Sequence, residues 1–292
     1  MKDQIIKFLA YDGKISVTCI STTNLVEKAR IIHDLSPLTT AALGRVLTIT
    51  ALIGADMKNA TDKLTIQIKG NGPIGKIVAV ADSTPKVKAC ITNPQVELPL
   101  NEFGKLDVGG AIGNQGFINV IKDIGLKEPY IGICPLVSGE IAEDFARYFV
   151  ESEQKKTAIA LGVLVNKDGV FKAGGYLMSL FPDVTDEIVT ILEENIKKVP
   201  SISKILAENK NLDEIAEIIT GDTKIKKIEE NDTLKYKCNC SFSKFEKGLI
   251  SLGKEELQQI INEEKSIETI CHFCNNRYQF DKQKIKEIIE KM

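Results

Sequence analysis

The chain has 292 residues, a formal charge of −2 and 43% hydrophobic residues. This length suits about two domains, and the near-neutral charge argues against a general nucleic-acid or anionic-membrane binder. Only two histidines occur, which leaves little room for a multi-histidine metal catalyst. Because the N-terminus lacks the apolar stretch of a signal peptide and no run of about 18 apolar residues exists, we predict a cytoplasmic protein that spans no membrane.

The first 182 residues mix strand and helix patterns without a regular βαβ rhythm. Two apolar segments flank Asp12-Gly13, a dipeptide typical of hairpin turns. Asn24 can cap a helix, Pro37 opens a second helix that is apolar on most sides, and Ser138 precedes a third. Strands are predicted over residues 5–10, 15–20, 64–69, 74–81, 158–165 and 170–180. We therefore predict an α+β fold, with residues 1–182 forming an N-terminal core domain of sheet and helix.

A glycine-rich segment, Gly70-Asn-Gly72-Pro-Ile-Gly75, fits the G-x-G-x-x-G pattern of dinucleotide-binding loops. In such a loop the glycines must open a helix. Here Pro73 and the β-branched run at residues 77–80 indicate a turn into another strand. We therefore predict a hairpin at this segment and no nucleotide cofactor.

Composition changes after Pro182. Of the 55 residues 183–237, 13 are acidic and 9 are basic, so 40% are charged, compared with 27% for the whole chain. Two short amphipathic patterns, Ile188 with Leu192 and Ile215 with Ile219, predict helices there. Helices this short are marginal in water and must rest on another surface. Residues 183–234 are therefore predicted to be a charged helical linker.

Residues 235–292 form a third, smaller predicted module. Ser243 and Glu246 have the spacing of a capping box, and helices are predicted near residues 249–252, 255–261 and 285–289. About 58 residues provide a thin core, and modules of this size often need a metal or a disulfide.

This module contains the strongest motif in the chain. Cys238-Asn-Cys240 is separated by thirty residues from Cys271-His-Phe-Cys274. Two pairs of close thiols separated by a small domain's length of chain are typical of a tetrahedral zinc site. We predict one zinc ion held by these four cysteines. His272 lies within the second pair and is not expected to replace a thiolate.

Two uses of such a site remain open from spacing alone. A purely structural zinc ribbon is favoured slightly over a redox switch. The switch is chemically feasible because zinc-bound thiolates are nucleophilic towards oxidants once they are accessible. A disulfide within C-x-C would need a tight turn and would be strained, as labile regulatory disulfides are.

The remaining candidate residues have ordinary structural interpretations. Cys19, Cys90 and Cys134 lie in apolar segments and are predicted to be buried, inert thiols. The acidic run Ser138-Gly-Glu-Ile-Ala-Glu-Asp144 is the composition expected at a helix start, so we predict no carboxylate-based active site and no enzyme activity. Ser152-Glu-Gln154 is predicted to be a helix end, and His33 a packed or surface histidine.

The sequence resembles the 33-kilodalton chaperonin family, the redox-regulated heat-shock chaperones. The likeness includes the C-x-C and C-x-x-C pairs and extends in order over nearly the whole chain. The segments that carry it are Gly70–Gly75, 108–110, 120–123, Pro129-Tyr130, 136–144, Tyr148-Phe149, 152–154, Gly162-Val163 and 271–275. One departure is Cys90, near which family members often carry an aromatic residue.

This resemblance implies a mechanism. The reduced, zinc-bound form would be inactive. Oxidation by peroxide or hypochlorite together with unfolding stress would release zinc and form the disulfides Cys238–Cys240 and Cys271–Cys274. The zinc module and linker would then lose structure, and a homodimer would bind unfolding client proteins.

Two other classes of protein fit less well. A nucleic-acid-binding zinc ribbon would need a basic module, but residues 235–292 contain 11 basic and 9 acidic side chains. A thiol oxidoreductase would use a lone C-x-x-C at a helix start, whereas here a second cysteine pair competes for metal.

Overall fold

The computed structural model describes residues 2–263, 266–290 and 292. The chain divides into two compact units, Met1–Lys237 and Cys238–Met292. The strands are β1 Gln4–Ala10, β2 Ile15–Ser21, β3 Lys63–Lys69, β4 Lys76–Asp82, β5 Lys86–Ile91, β6 Phe117–Asp123, β7 Tyr130–Pro135, β8 Thr157–Asn166, β9 Gly169–Leu180, β10 Lys226–Asn231, β11 Lys235–Tyr236, β12 Ile267–Ile270 and β13 Arg277–Phe280. The helices are α1 Thr23–His33, α2 Pro37–Gly54, α3 Val108–Ile112, α4 Ile141–Glu151, α5 Asp186–Lys198, α6 Ile202–Ala207, α7 Leu212–Thr220, α8 Phe242–Ile250, α9 Lys254–Asn262 and α10 Lys282–Glu290.

The first unit contains two sheets and has the predicted α+β architecture. A five-stranded antiparallel sheet has the order β10-β1-β2-β9-β8, and a six-stranded sheet has the order β11-β5-β4-β3-β6-β7. The predicted hairpins β1–β2 and β8–β9 are both present in the five-stranded sheet. In the six-stranded sheet, β11 pairs parallel with β5 and the other neighbours are antiparallel.

The glycine-rich segment is a hairpin, as predicted. It joins β3 to β4, which pair from Lys69 with Lys76 onward. The Gly72 N–H donates to the carbonyl of Ile112 at 2.8 Å. A Cβ atom at Gly72 would lie only 2.4 Å from the Ala111 carbonyl oxygen, so the close approach to α3 requires glycine here.

The main core is built around α2. This helix is buried almost all round and packs with the inner faces of both sheets, as the apolar sequence predicts. It is long and apolar enough to cross a membrane by length and composition, but 89% of its most apolar window is buried inside the protein, as in the core helix of a soluble protein. Ser36 caps its N-terminus by accepting from the Thr39 N–H.

Helices α5–α7 cover the opposite face of the five-stranded sheet. Leu192, Ile215 and Ile219 are buried in a second apolar cluster that includes Ile6 and Phe8 of β1. The predicted apolar stripes of the linker therefore rest on the N-terminal sheet. Residues 183–234 pack within the first compact unit. The division of the chain into a core domain, a helical linker and a zinc module stays a prediction.

Strand β10, at the end of this segment, was not predicted from the sequence. Its six residues, KKIEEN, are mostly exposed and lack the apolar alternation of a half-buried strand. Pairing with β1 makes it a strand. Lys7 of β1 stabilises this edge of the five-stranded sheet, because its ammonium lies 3.1 Å from the carboxylate of Glu229 on β10 and 3.2 Å from the carboxylate of Asp56.

Two predicted caps were wrong. Asn24 lies inside α1, and the Asp3 carboxylate, from just before β1, accepts the backbone N–H groups of Asn24 and Leu25. In the second unit, α8 begins two residues earlier than predicted because Ser241, not Ser243, accepts from the Lys244 N–H.

The second unit combines the β12–β13 hairpin with α8, α9 and α10. Its buried side chains form a cluster of their own: Leu249, Leu257, Ile261, Phe280, Ile285, Ile288 and Ile289. Glu246 of α8 pairs with Lys284 of α10 at 3.3 Å. The predicted final helix with its three buried isoleucines is confirmed.

Candidate metal centre

The two cysteine pairs of the second unit come from different local structures. Cys238 and Cys240 lie just before α8, where the Ser241 cap fixes the start of the helix. Cys271 and Cys274 lie in the turn between β12 and β13. In this turn the Cys274 N–H donates to the Cys271 carbonyl at 3.2 Å, and Asn275 adopts a left-handed conformation, which asparagine tolerates.

The structure brings the four sulfurs together. All four lie within 4.8 Å of one another. Cys238 Sγ is 3.6 Å from Cys271 Sγ, and Cys240 Sγ is 3.4 Å from Cys274 Sγ. Cys271 is buried and the other three are half-buried, so the cluster is enclosed and still reachable from solvent.

This arrangement suits a tetrahedral metal. Four sulfurs at the zinc–thiolate distance of about 2.3 Å would be separated by about 3.8 Å, close to the two distances above. A set of four thiolates selects soft or borderline cations such as zinc. The four cysteines could therefore hold one metal ion. His272 is exposed and is not part of the cluster.

Tyr278 of β13 was not predicted as a site residue, although it contacts the cluster. Its hydroxyl donates to Cys240 Sγ at 3.1 Å. Burial alone would raise the pKa of Cys240, but the hydrogen bonds from Tyr278 and the neighbouring thiols outweigh it and lower that pKa to about 7. The sequence signal was the alternation of Tyr278 and Phe280 with the polar Arg277 and Gln279, which places the tyrosine on the apolar face of a strand. A tyrosine hydroxyl on such a face usually finds a hydrogen-bond partner.

The other cysteines lie away from this cluster. Cys19 is buried, and desolvation raises its pKa far above the ordinary value. Cys134 is buried on β7, where burial first and then its hydrogen bond to Glu151 raise its pKa to about 11. The predicted burial is confirmed for these two and is wrong for Cys90, and the inertness of the thiols stays a prediction. Cys90 is half-buried, because on β5 it faces away from the side where Val87 and Ala89 are buried.

The acidic residues at α4 have structural roles, as expected. Glu140 pairs with Arg45 of α2, and the Asp144 carboxylate accepts the N–H groups of Val137 and Ser138. His33 is half-buried, and its Nε2 lies 3.1 Å from the Tyr236 hydroxyl.

Ser152-Glu-Gln154 ends α4, with Gln154 in a left-handed conformation. Glu153 has a further role that the sequence analysis missed: it accepts a hydrogen bond from the Tyr148 hydroxyl at 2.7 Å and pairs with Lys122 of β6. The segment therefore joins α4 to the six-stranded sheet.

Comparison with known proteins identifies the family. The family model described as "Hsp33 protein" matches residues 3–281. The chain belongs to the Hsp33 family. The 33 kDa chaperonin of Thermoanaerobacter sp. (strain X514) is 44% identical over 290 residues, covering 99% of this chain and 98% of the relative. That of Clostridioides difficile (strain 630) is 44% identical over the full length of both proteins.

The fold agrees with this assignment. The crystal structure of the 33 kDa chaperonin (heat shock protein 33 homolog) from Thermotoga maritima has a TM-score of 0.91 and 40% identity, covering 100% of this chain and 99% of that one. The α+β architecture and the chaperone prediction are thus confirmed. As an Hsp33-family chaperone, the protein belongs to a class that binds client proteins in the stress response, and its relatives are named chaperonins.

Proposed function

We propose that this chain is a redox-regulated holdase of the cytoplasm, inactive when reduced and zinc-bound and active as a homodimer after oxidation. The observation that carries the proposal is the convergence of four sulfurs within 4.8 Å in a unit of about 55 residues. When bound, zinc would supply the staple that so small a core lacks, worth on the order of 10–16 kcal/mol in zinc-finger peptides. Cys238, Cys240, Cys271 and Cys274 are the proposed ligands.

Oxidation of the cysteine sulfurs would release the zinc ion. Each proposed disulfide, Cys238–Cys240 and Cys271–Cys274, takes two thiolates away from the metal. A disulfide cannot coordinate zinc as a thiolate does, so the cluster cannot rebind the ion. Each bridge also closes only a tiny loop and restores little of the lost folding free energy.

Sulfurs of the two pairs also lie close to each other, with Cys238 Sγ 3.6 Å from Cys271 Sγ and Cys240 Sγ 3.4 Å from Cys274 Sγ. Oxidation could therefore join the two pairs instead of closing a bridge within each pair, and the connectivity distinguishes the two outcomes. Disulfide mapping of oxidised protein by mass spectrometry tests this. Bridges between the pairs would contradict the proposed switch.

The C-x-x-C does not suit a thiol oxidoreductase. That chemistry uses a cysteine at a helix start, whereas Cys271 and Cys274 lie in a turn between two strands. This favours the switch over disulfide-exchange catalysis.

One experiment follows metal and activity together. Reduced protein should contain one zinc per chain and should not prevent aggregation of a heat-unfolded client. Peroxide treatment at raised temperature should release the zinc, suppress client light scattering and shift the protein to a dimer in sedimentation analysis. Equal suppression by the reduced and oxidised forms would contradict redox control and would leave the site with a structural role only.

A further inference from the structure

Tyr278 is placed against the cluster by a fixed aromatic framework. Its ring lies 4.8 Å from that of Phe245 and 6.5 Å from that of Phe242. Phe242 in turn stacks on Phe280 at 4.4 Å. Both phenylalanines of α8 follow Cys240 closely in sequence, so the helix that begins beside the cysteine also holds the tyrosine ring.

The hydroxyl at the end of this ring reaches one sulfur in particular. It donates to Cys240 Sγ at 3.1 Å, and Tyr278 is half-buried. The tyrosine lies four residues after Cys274, on the strand that leaves the second cysteine pair. The hydrogen bond therefore joins β13 to the first pair, across the cluster.

A hydrogen bond to a thiolate has two chemical effects. It withdraws electron density from the sulfur, and a less basic sulfur is a weaker nucleophile. It also orients the ligand, and groups that support metal ligands in this way typically contribute 10–100-fold to metal affinity. The first effect favours the reduced state of the sulfur, and the second favours the metal-bound state.

We propose that the Tyr278 hydroxyl is a positioning group that holds Cys240 on the metal and slows its oxidation, and so sets the oxidant threshold of the switch. This inference rests on the proposed function. It assigns to one hydroxyl a regulatory role in a site otherwise made of thiols.

The step that Tyr278 slows is attack on peroxide. The Cys240 thiolate attacks one oxygen of hydrogen peroxide, an S–O bond forms, and the O–O bond breaks. Hydroxide leaves and takes up a proton to become water, so the sulfur is oxidised to a sulfenic acid and the peroxide is reduced. The Cys238 thiol then displaces the sulfenic oxygen as water and forms the S–S bond.

The test is Tyr278→Phe, which removes the hydroxyl and keeps the ring that packs on Phe245. Zinc affinity, measured by competition with a chromophoric chelator, should fall about tenfold, and peroxide-driven zinc release should be several-fold faster. Tyr130→Phe is the matched control. It removes a hydroxyl that donates to the Ser152 carbonyl in the first unit, and it should change neither quantity.

A spectroscopic measurement separates this role from simple packing. In cobalt(II)-substituted protein, loss of the hydrogen bond should shift the thiolate-to-cobalt charge-transfer band to longer wavelength, and Tyr130→Phe should leave it in place. An unchanged band, affinity and release rate in Tyr278→Phe would overturn the inference. The wild-type protein in the same experiment tests the proposed function separately, because failure of its zinc to leave under peroxide contradicts the switch itself.

Discussion

At the scale of single residues, cysteines of one chain have opposite chemistries set by their surroundings. Burial and Glu151 raise the pKa of Cys134 to about 11, and burial raises the pKa of Cys19 as well, so both core thiols stay protonated at neutral pH. Since the thiolate is the reactive form and cysteines that bind a metal are deprotonated, oxidants should act at the cluster and spare the core thiols.

A triple replacement tests this selectivity. With Cys19, Cys90 and Cys134 all changed to alanine, the protein should still release zinc and gain chaperone activity under peroxide, provided that it folds. Zinc release and client light scattering measure the response. If a folded triple variant no longer responds to oxidant, half-buried Cys90 becomes the first alternative sensor.

Glu153 provides a residue-scale prediction about pH. Burial raises its pKa, but Lys122 and the Tyr148 hydroxyl outweigh this and hold the pKa below its ordinary value of 4.5. Because the native state binds this proton less readily than the unfolded state, the carboxylate stabilises the fold above about pH 4.5 and loses that effect as pH falls through the lower folded value.

Thermal unfolding at pH 7 and at pH 3.5 should therefore separate wild type from Glu153→Gln. The variant should be less stable at pH 7, and its stability should fall less on acidification. Equal acid sensitivity of the two proteins would show that Glu153 does not carry this dependence.

At the scale of elements, the sequence predicted those features that depend on neighbouring residues and missed those that depend on contacts between distant residues. Cysteine spacing identified the four clustered thiols, and Asp12-Gly13 identified a hairpin, because both signals lie within a few residues. The cap of α1 could not be found locally, since Asp3 reaches it from 21 residues away in sequence. The strand β10 was missed because pairing with β1, and not its own charged sequence, makes it a strand.

Helix α5 offers an element-scale test of how the linker is held. Leu192 is 3% exposed, and its neighbour Ile191 is 51% exposed. Leu192→Ala should destabilise the contact with the sheet by about 2–5 kcal/mol, whereas Ile191→Ala should change stability by less than about 0.5 kcal/mol.

The functional consequence follows from the same contact. Leu192→Ala should lower the temperature at which peroxide activates the protein, and Ile191→Ala should leave it unchanged. Client light scattering over a temperature series measures this. Identical activation temperatures in both variants would show that release of α5 does not limit activation.

At the scale of the whole molecule, the chain has two units whose apolar cores differ greatly in size. The unit Met1–Lys237 has two sheets around a buried helix, whereas Cys238–Met292 has a small apolar cluster and four thiols. Helices α5–α7 belong to the first unit by packing, yet they are short and carry much charge. We expect oxidation to unfold the small unit first and these helices next, which would uncover the sheet face around Ile6 and Phe8.

Hydrogen exchange of the oxidised, active protein tests this claim most directly. Peptides from residue 183 onward should lose protection relative to the reduced, zinc-bound protein, while α2 and the six-stranded sheet keep theirs. Full protection of α5–α7 in protein that is oxidised and actively holding a client would contradict the account, because the apolar face beneath those helices would never have become available.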